Sequence, residues 1–331
     1  MTRTAEADLG KHVFNQPLGG NEMPRFGGPA TMFRLPVQQV SSELAIGIVG
    51  VPLDIGTSNR AGSRFGPRQV RAESALIRPF NMATRAAPFA SFQIADIGDV
   101  PLNTYNLLAS IDIIERHYDQ VVAHGVKPLS VGGDHTITLP ILRALHRSHG
   151  PMALIHVDAH ADVNDEMFGE KIAHGTIFRR AIEEGLVDPR HMYQIGLRGT
   201  GYSAADFDWT RNQGAVVVQA EACWNKSLEP LMDQARAAIG AAMPTYLSFD
   251  VDGLDPSVAP GTGTPEIGGL TAAQGLEIIR GVYGLNLIGA DLVEVSPPYD
   301  VTGNTALLGA NLLFEMLCSF PGCKRGTANP V

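Results

Sequence analysis

Short apolar runs alternate with segments of helical period along the chain from Ala45 onward. The runs are Ala45–Val51, Phe92–Ile97, Lys127–Val131, Met152–Val157, Met192–Leu197, Ala215–Val218, Thr245–Phe249 and Leu287–Val293. Between them, Asn106–Val122 places Leu107, Leu108, Ile111, Ile114, Tyr118, Val121 and Val122 at three- and four-residue steps, which gives a helix one apolar face. Glu229–Ile239, Thr271–Tyr283 and Thr305–Leu317 share that period, and Thr271 with Gln274 has the spacing of a capping box. Strands alternating with helices predict an α/β fold with a mostly parallel sheet covered on both faces. Residues 1–42 differ. They are rich in Gly, Pro and polar residues, with Phe26, Phe33 and Leu35 as scattered apolar anchors. They read as an N-terminal arm packed on the core or on a neighbouring subunit. No polar linker and no internal repeat divides residues 43–331, so a single catalytic-size domain follows the arm.

Composition narrows the function classes. Lys plus Arg number 25 and Asp plus Glu 34, a formal charge of −9, and no basic cluster is present, which argues against a nucleic-acid partner. The 44% hydrophobic and 18% charged content suits a folded chain with a large core. Cys223, Cys318 and Cys323 are too scattered for a disulfide framework or a structural zinc site. Residues 1–25 hold no apolar core of the signal-peptide kind, and the longest apolar stretch, Ala306–Leu317, is short and carries Glu315. A cytoplasmic protein without membrane partners is expected.

Three clusters carry chemistry, and each follows an apolar run. Gly132-Gly133-Asp134-His135 follows the run ending at Val131. Asp158-Ala159-His160-Ala161-Asp162 follows Met152–Val157, and Asp250-Val251-Asp252 follows Thr245–Phe249. Extended residues two apart share a face, so Asp158, His160 and Asp162 point to one place, as do Asp250 and Asp252. Carboxylates gathered at the end of a buried run are costly unless a cation neutralises them. In parallel α/β sheets, ligands bind beyond the carboxyl ends of the strands. Two imidazoles and four carboxylates exceed the needs of one divalent ion and suit two adjacent ions sharing bridging carboxylates. Four carboxylates balance two divalent cations, so a bridging hydroxide leaves one negative charge and favours a cationic substrate. Oxygen-rich ligation with two imidazoles favours Mn²⁺, with Zn²⁺ or Ni²⁺ as alternatives. Asp255 falls off the spacing and reads as a turn residue before Pro256. His156 lies on the face of Asp158 but deeper, as a core histidine or a support for the ligands. His12, His117, His124, His146, His149 and His191 lack ligand-like spacing. Arg60, Arg64, Arg68 and Arg71 read as a loop running into an exposed helix face beside the pocket.

These clusters, with Ser248–Pro256 continuing through Ala259–Pro265, resemble the ureohydrolase family of arginases, agmatinases and guanidino-acid hydrolases, over about Val49 to Leu317. The resemblance implies a three-layer arginase-like fold with an eight-stranded, mostly parallel sheet. It also implies two Mn²⁺ per subunit and a trimeric or hexameric homo-oligomer. By the same resemblance, His135, Asp158, Asp162 and Asp250 would hold the first ion. His160, Asp158, Asp250 and Asp252 would hold the second, with Asp158 and Asp250 bridging. Thr136 stands where many relatives carry Ser. His174, in His174-Gly175-Thr176, matches the family's proton-shuttle histidine. Glu294, in Glu294-Val295-Ser296-Pro297-Pro298, matches the acidic residue that orients the substrate guanidinium.

The implied reaction is hydrolysis of a linear guanidino compound to urea and an amine. A guanidinium carbon is a poor electrophile, and metal binding lowers the pKa of water from about 15.7 toward roughly 7, which supplies hydroxide. Asp162 would accept a hydrogen bond from that nucleophile, Glu294 would hold the guanidinium, and His174 would pass a proton to the leaving amine. The Val163–Ala173 segment leads from the metal motif to His174 and would flank the substrate tail, with Asn164 and Met167 as contacts and Arg198 and Tyr202 as weaker ones. This segment and Gln16–Gly28 look most like those of the family's guanidinobutyrases, which implies 4-guanidinobutyrate as substrate. Agmatine and 3-guanidinopropionate, which differ at the tail by charge or by one methylene, are the alternatives, and one methylene separates substrates by only about 1–3 kcal/mol. From other classes, a single-metal deacetylase conflicts with the second-ion pair His160 and Asp252. A non-catalytic guanidine-binding protein conflicts with the retention of every ligand and of His174.

Overall fold

The computed structural model describes residues 14–203 and 205–326. Eight strands form one sheet: β1 (Ile46–Val51), β2 (Ile94–Asp99), β3 (Lys127–Gly132), β4 (Met152–Val157), β5 (Val187–Leu197), β6 (Val216–Gln219), β7 (Pro244–Asp250) and β8 (Asn286–Val293). Their order is β2-β1-β3-β8-β7-β4-β5-β6, and every pairing is parallel. The helices are α1 (Gly66–Glu73), α2 (Leu107–Ala123), α3 (Thr138–His149), α4 (Ile177–Glu183), α5 (Asp208–Asn212), α6 (Ala220–Cys223), α7 (Glu229–Ile239), α8 (Ala272–Gly281) and α9 (Asn304–Ser319).

Two apolar layers flank the sheet. One joins Val70 of α1, Met232 of α7, Ile278 of α8 and Leu312 of α9 to Ile155, Leu247 and Leu292 on the strands. The other joins Ile114 of α2, Leu142 of α3 and Phe178 of α4 to Leu154 and Tyr246. Inner strands such as β1 and β4 are buried at every position, as expected of strands covered on both faces. Thr271 caps α8 in the expected box with Gln274, whose side chain accepts from the Thr271 N–H.

Of the arm, residues 1–13 lie outside the described residues. In the remainder, Met32, Phe33 and Leu35 are buried. Phe33 meets Phe89 and Phe314 edge-on at 6.1 and 6.2 Å, and its N–H donates to Ser74 Oγ. Burial of such a ring contributes about 1.5–3 kcal/mol. Among the described residues, no helix is long and apolar enough to cross a membrane.

The sheet order positions the chemistry. The chain leaves β3, passes through α3 and enters β4 on the far side of β8 and β7. The carboxyl ends of β3, β8, β7 and β4 therefore lie side by side. They carry, respectively, His135, Glu294, the Asp250–Asp252 pair and the Asp158–Asp162 motif.

Candidate metal centre

Each of these residues is set by a local turn. His135 opens the 3₁₀ turn His135–Ile137, whose cap is the Asp134 carboxylate accepting from Thr136 N–H. Asp250 ends β7 and accepts the Asp252 N–H at 2.8 Å, which turns both carboxylates to one side. Asp162 and Glu294 have left-handed backbones, with φ of 52° and 65°. Non-glycine residues seldom adopt this conformation, and it clusters at functional sites.

The side chains meet. His135 Nδ1 lies 3.1 Å from Asp158 Oδ2, 3.1 Å from Asp162 Oδ2 and 3.3 Å from Asp250 Oδ2. His160 Nδ1 lies 3.2 Å from Asp252 Oδ2 and 3.4 Å from Asp158 Oδ1. The six residues predicted from the strand-end motifs thus converge on two adjoining positions, with Asp158 facing both. His156 also offers a nitrogen within 4.8 Å of ligand atoms of His135 and Asp158. Its nitrogens are engaged elsewhere, because Nε2 is 2.8 Å from Asp158 Oδ2 and Nδ1 faces Gln194 Nε2 at 3.0 Å. It supports Asp158 from beneath, as its deeper place in the strand suggested.

The donor set fits a cation, and the tautomer of His135 carries that test. Asp291 accepts hydroxyl hydrogens from Thr138, Tyr246 and Ser248 at 2.7, 2.8 and 2.7 Å. The Ser248 hydrogen is thereby committed to Asp291, so Ser248 Oγ accepts from His135 Nε2, 2.8 Å away. In the neutral ring, Nδ1 is then a buried lone pair without a hydrogen-bond partner, facing three carboxylate oxygens. A divalent cation is the species that satisfies four such acceptors at once.

Electrostatics tell the same story. Burial, with Asp252 and Asp158 beside it, pushes the Asp250 carboxyl well above its ordinary range, and Asp252 is raised for similar reasons. Burial alone would raise Asp158, but His156, His135 and His160 more than offset it and hold it well below. Burial would lower His135 and His160, yet the surrounding carboxylates raise both well above the usual imidazole value. Without ions, the imidazoles must carry the positive charge that this cluster of carboxylates demands.

His174 and Glu294 close the inner end of the site. Glu294 Oε1 accepts the His135 N–H at 2.9 Å and lies 3.4 Å from His174 Nδ1. Burial lowers His174, but Glu294 outweighs it and holds the ring at about 9. A pocket of about 660 Å³ opens above, lined by residues that include Ser58, His160, Asp162, Asn164, Met167 and His174, together with Arg198, Tyr202 and Arg211. Asn164 Nδ2 donates to Gly175 O at 3.1 Å, and Met167 packs on Gly175 so closely that a Cβ there would sit 2.7 Å from the sulfur.

The weaker tail candidates, Arg198 and Tyr202, line the same pocket in different ways. Arg198 is buried, and its guanidinium donates to the carbonyls of Gly196, Asp252, Gly253, Leu254, Glu266 and Ile267. It clamps the loop behind Asp252. Tyr202 turns its side chain fully to solvent. Arg71 is not on an exposed face, because it is buried and paired with Asp96 and Asp99. Asp255 is a turn residue as expected, accepting from Ser257, Gly268 and Gly269 N–H groups. Sequence reasoning missed Ser248 and Asp291. Both lie on the ligand-facing side of their strands, and Ser248 stands two residues before Asp250.

Comparison with known proteins agrees with this geometry. The model of the Arginase family matches residues 44–318. The chain is 67% identical over 314 residues to a guanidinobutyrase of Pseudomonas aeruginosa, covering 94% of this chain and 98% of that protein. It is 57% identical over 311 residues to a mitochondrial agmatinase of Gallus gallus, covering 94% and 91%. Among solved structures, proclavaminate amidino hydrolase from Streptomyces clavuligerus superposes with a TM-score of 0.84 at 37% identity, over 89% of this chain and 99% of that one.

Proposed function

The chain belongs to the arginase family and is a ureohydrolase of guanidino compounds, and from that premise we propose that it cleaves 4-guanidinobutyrate to urea and 4-aminobutyrate with two Mn²⁺ per subunit. The observation that carries the metal reading is the bare His135 Nδ1 among three carboxylates. His135, Asp158, Asp162 and Asp250 would hold one ion, and His160, Asp158, Asp250 and Asp252 the other. Oxygen donors with two imidazoles favour Mn²⁺, and Zn²⁺ or Ni²⁺ are the alternatives. When bound, the ions supply water acidic enough to attack near neutral pH, with a pKa near roughly 7.

The chain's own residues do the rest. Asp162, with its backbone fixed in the left-handed region, presents a carboxylate that accepts a proton from the attacking water. Glu294, anchored by the His135 N–H, holds the guanidinium against the site. His174, kept protonated at neutral pH by Glu294, supplies a proton to the leaving nitrogen.

Two supports favour an acidic tail over the amine of agmatine. One is the identity to the guanidinobutyrase. The other is Arg211 on the pocket wall, whose ion pair with Asp208 is long at 3.4 Å. Met167 would pack against the methylenes, and Asn164 would donate a hydrogen bond. The same reading takes residues 43–331 as the catalytic domain and 1–42 as an arm, in a cytoplasmic trimer or hexamer.

The test is urea release by Mn²⁺-loaded protein from 4-guanidinobutyrate, 3-guanidinopropionate, agmatine and arginine. The highest kcat/KM is expected for 4-guanidinobutyrate. Preference for agmatine would move the error to the pocket wall, and no urea from any of them would overturn the reading.

A further inference from the structure

Ser58 lies 116 residues before His174 in sequence and touches its ring. His174 Nδ1 faces Glu294 Oε1, while Nε2 is 2.8 Å from Ser58 Oγ and 3.2 Å from the Ser58 N–H. These partners differ in what they permit. A carboxylate only accepts, so Glu294 requires the proton on Nδ1. An amide only donates, so the Ser58 N–H requires a lone pair on Nε2. The neutral ring with Nδ1 protonated satisfies both. A second proton must sit on Nε2, against the amide hydrogen. The Ser58 hydroxyl is the partner at that edge that serves both states, donating to a neutral Nε2 and accepting from a charged Nε2–H.

The loop that carries Ser58 is tied on several sides. Gly56 N–H donates to Asp134 Oδ2 at 2.8 Å, His174 N–H donates to Gly56 O at 3.1 Å, and Asn59 Nδ2 donates to Gly263 O at 3.0 Å. A Cβ at Gly56 would lie 2.2 Å from Thr136 Oγ1, so only glycine allows this approach. Ser58 also lines the pocket. The hydroxyl is thus fixed between the imidazole and the space where substrate sits.

We propose that Ser58 is a further catalytic residue, a proton relay between His174 Nε2 and the leaving nitrogen. This rests on the ureohydrolase reading of the pocket. In the step, the Nε2 proton passes to Ser58 Oγ while the hydroxyl's own proton passes to the departing nitrogen as its bond to the guanidinium carbon breaks. Serine ends unchanged, the ring ends neutral, and the nitrogen gains one proton. The attacking water releases one proton, which reloads the ring. The carboxylates facing His174 are Glu294, Asp162 and Asp134.

The experiment compares wild type, Ser58→Ala and Ser58→Thr as full-length, Mn²⁺-loaded enzymes. Ser58→Ala is expected to lower kcat for 4-guanidinobutyrate about 10- to 100-fold with KM changed by less than about threefold. Loss of the acceptor for Nε2–H disfavours the charged ring, so the basic limb of the kcat profile should move down by about one pH unit. Ser58→Thr should restore both. Independently of activity, long-range ¹H–¹⁵N spectra of histidine-labelled, Zn²⁺-loaded protein should show His174 as the Nδ1–H tautomer when neutral, and a lower titration midpoint in Ser58→Ala. If Ser58→Ala does not fold, Ser58→Cys replaces it with the same expectation, because a thiol accepts weakly. Unchanged kcat and limb in Ser58→Ala, or equal loss in Ser58→Thr, would overturn the proposal. Wild type that releases no urea from any guanidino compound would instead overturn the functional reading. The His174 titration would then decide the Ser58 pairing alone.

Discussion

At the strand ends, Asp158, Asp250 and Asp252 are almost wholly buried and each carboxylate has fixed partners. Across the same pocket, the Val163–Ala173 loop holds Asp165, Glu166 and Lys171 about half exposed, bound only to one another and to Arg179 and Arg180. Phe168 at its tip is 97% exposed. The rim spends buried charge to hold one geometry, and that charge has a use only with cations in place. The wall holds solvated ion pairs of the kind that contribute little to stability. The two regions thus differ in burial and in how their charges are paired, and a change at each should be read in different quantities.

The comparison breaks most sharply at Asp250, which faces His135 and whose neighbour Asp252 faces His160. Asp250→Ala should abolish bound metal and urea release together, with kcat/KM falling on the order of 10³-fold or more. Elemental analysis and the urea assay check it, and a fully active variant would contradict the rim's role. One layer deeper, Ser248→Ala frees His135 to place its proton on Nδ1. The affinity for Mn²⁺ should fall about 10- to 100-fold, measured by metal titration, with the fold retained. The smallest effect belongs to the wall. Arg211→Gln should raise KM for 4-guanidinobutyrate about two- to fivefold and leave kcat with agmatine unchanged. A kcat loss common to both substrates would show that the wall is part of the chemical machinery.

The difference also explains what the sequence made legible. Period-two spacing at the ends of apolar runs singled out Asp158, His160, Asp162, Asp250 and Asp252, although the structure gathers them through turns just beyond β4 and β7 and through the left-handed backbone of Asp162, and not through extended strand. Helices with a clean apolar stripe, such as α2 and α7, were visible through their period. Helix α3 was not, because Leu139, Pro140, Ile141, Leu142, Ala144 and Leu145 are all buried and blur its period. The first half of β5, Val187–His191, was missed because Asp188, Pro189, Arg190 and His191 break the apolar run. Arg198 lines the pocket as its place after β5 suggested, and only the fold shows its guanidinium turned onto carbonyls of β5, of the Asp252–Leu254 turn and of Glu266 and Ile267. Ser58 and His174 meet through tertiary packing, which no local pattern encodes.

The account stands on the proposal that Asp158 and Asp250, just beyond β4 and at the end of β7, would be shared by two cations. Equilibrium dialysis against Mn²⁺ with elemental analysis of the full-length protein tests it most directly. Two ions per chain are predicted, and a saturated value of one or none would contradict the account.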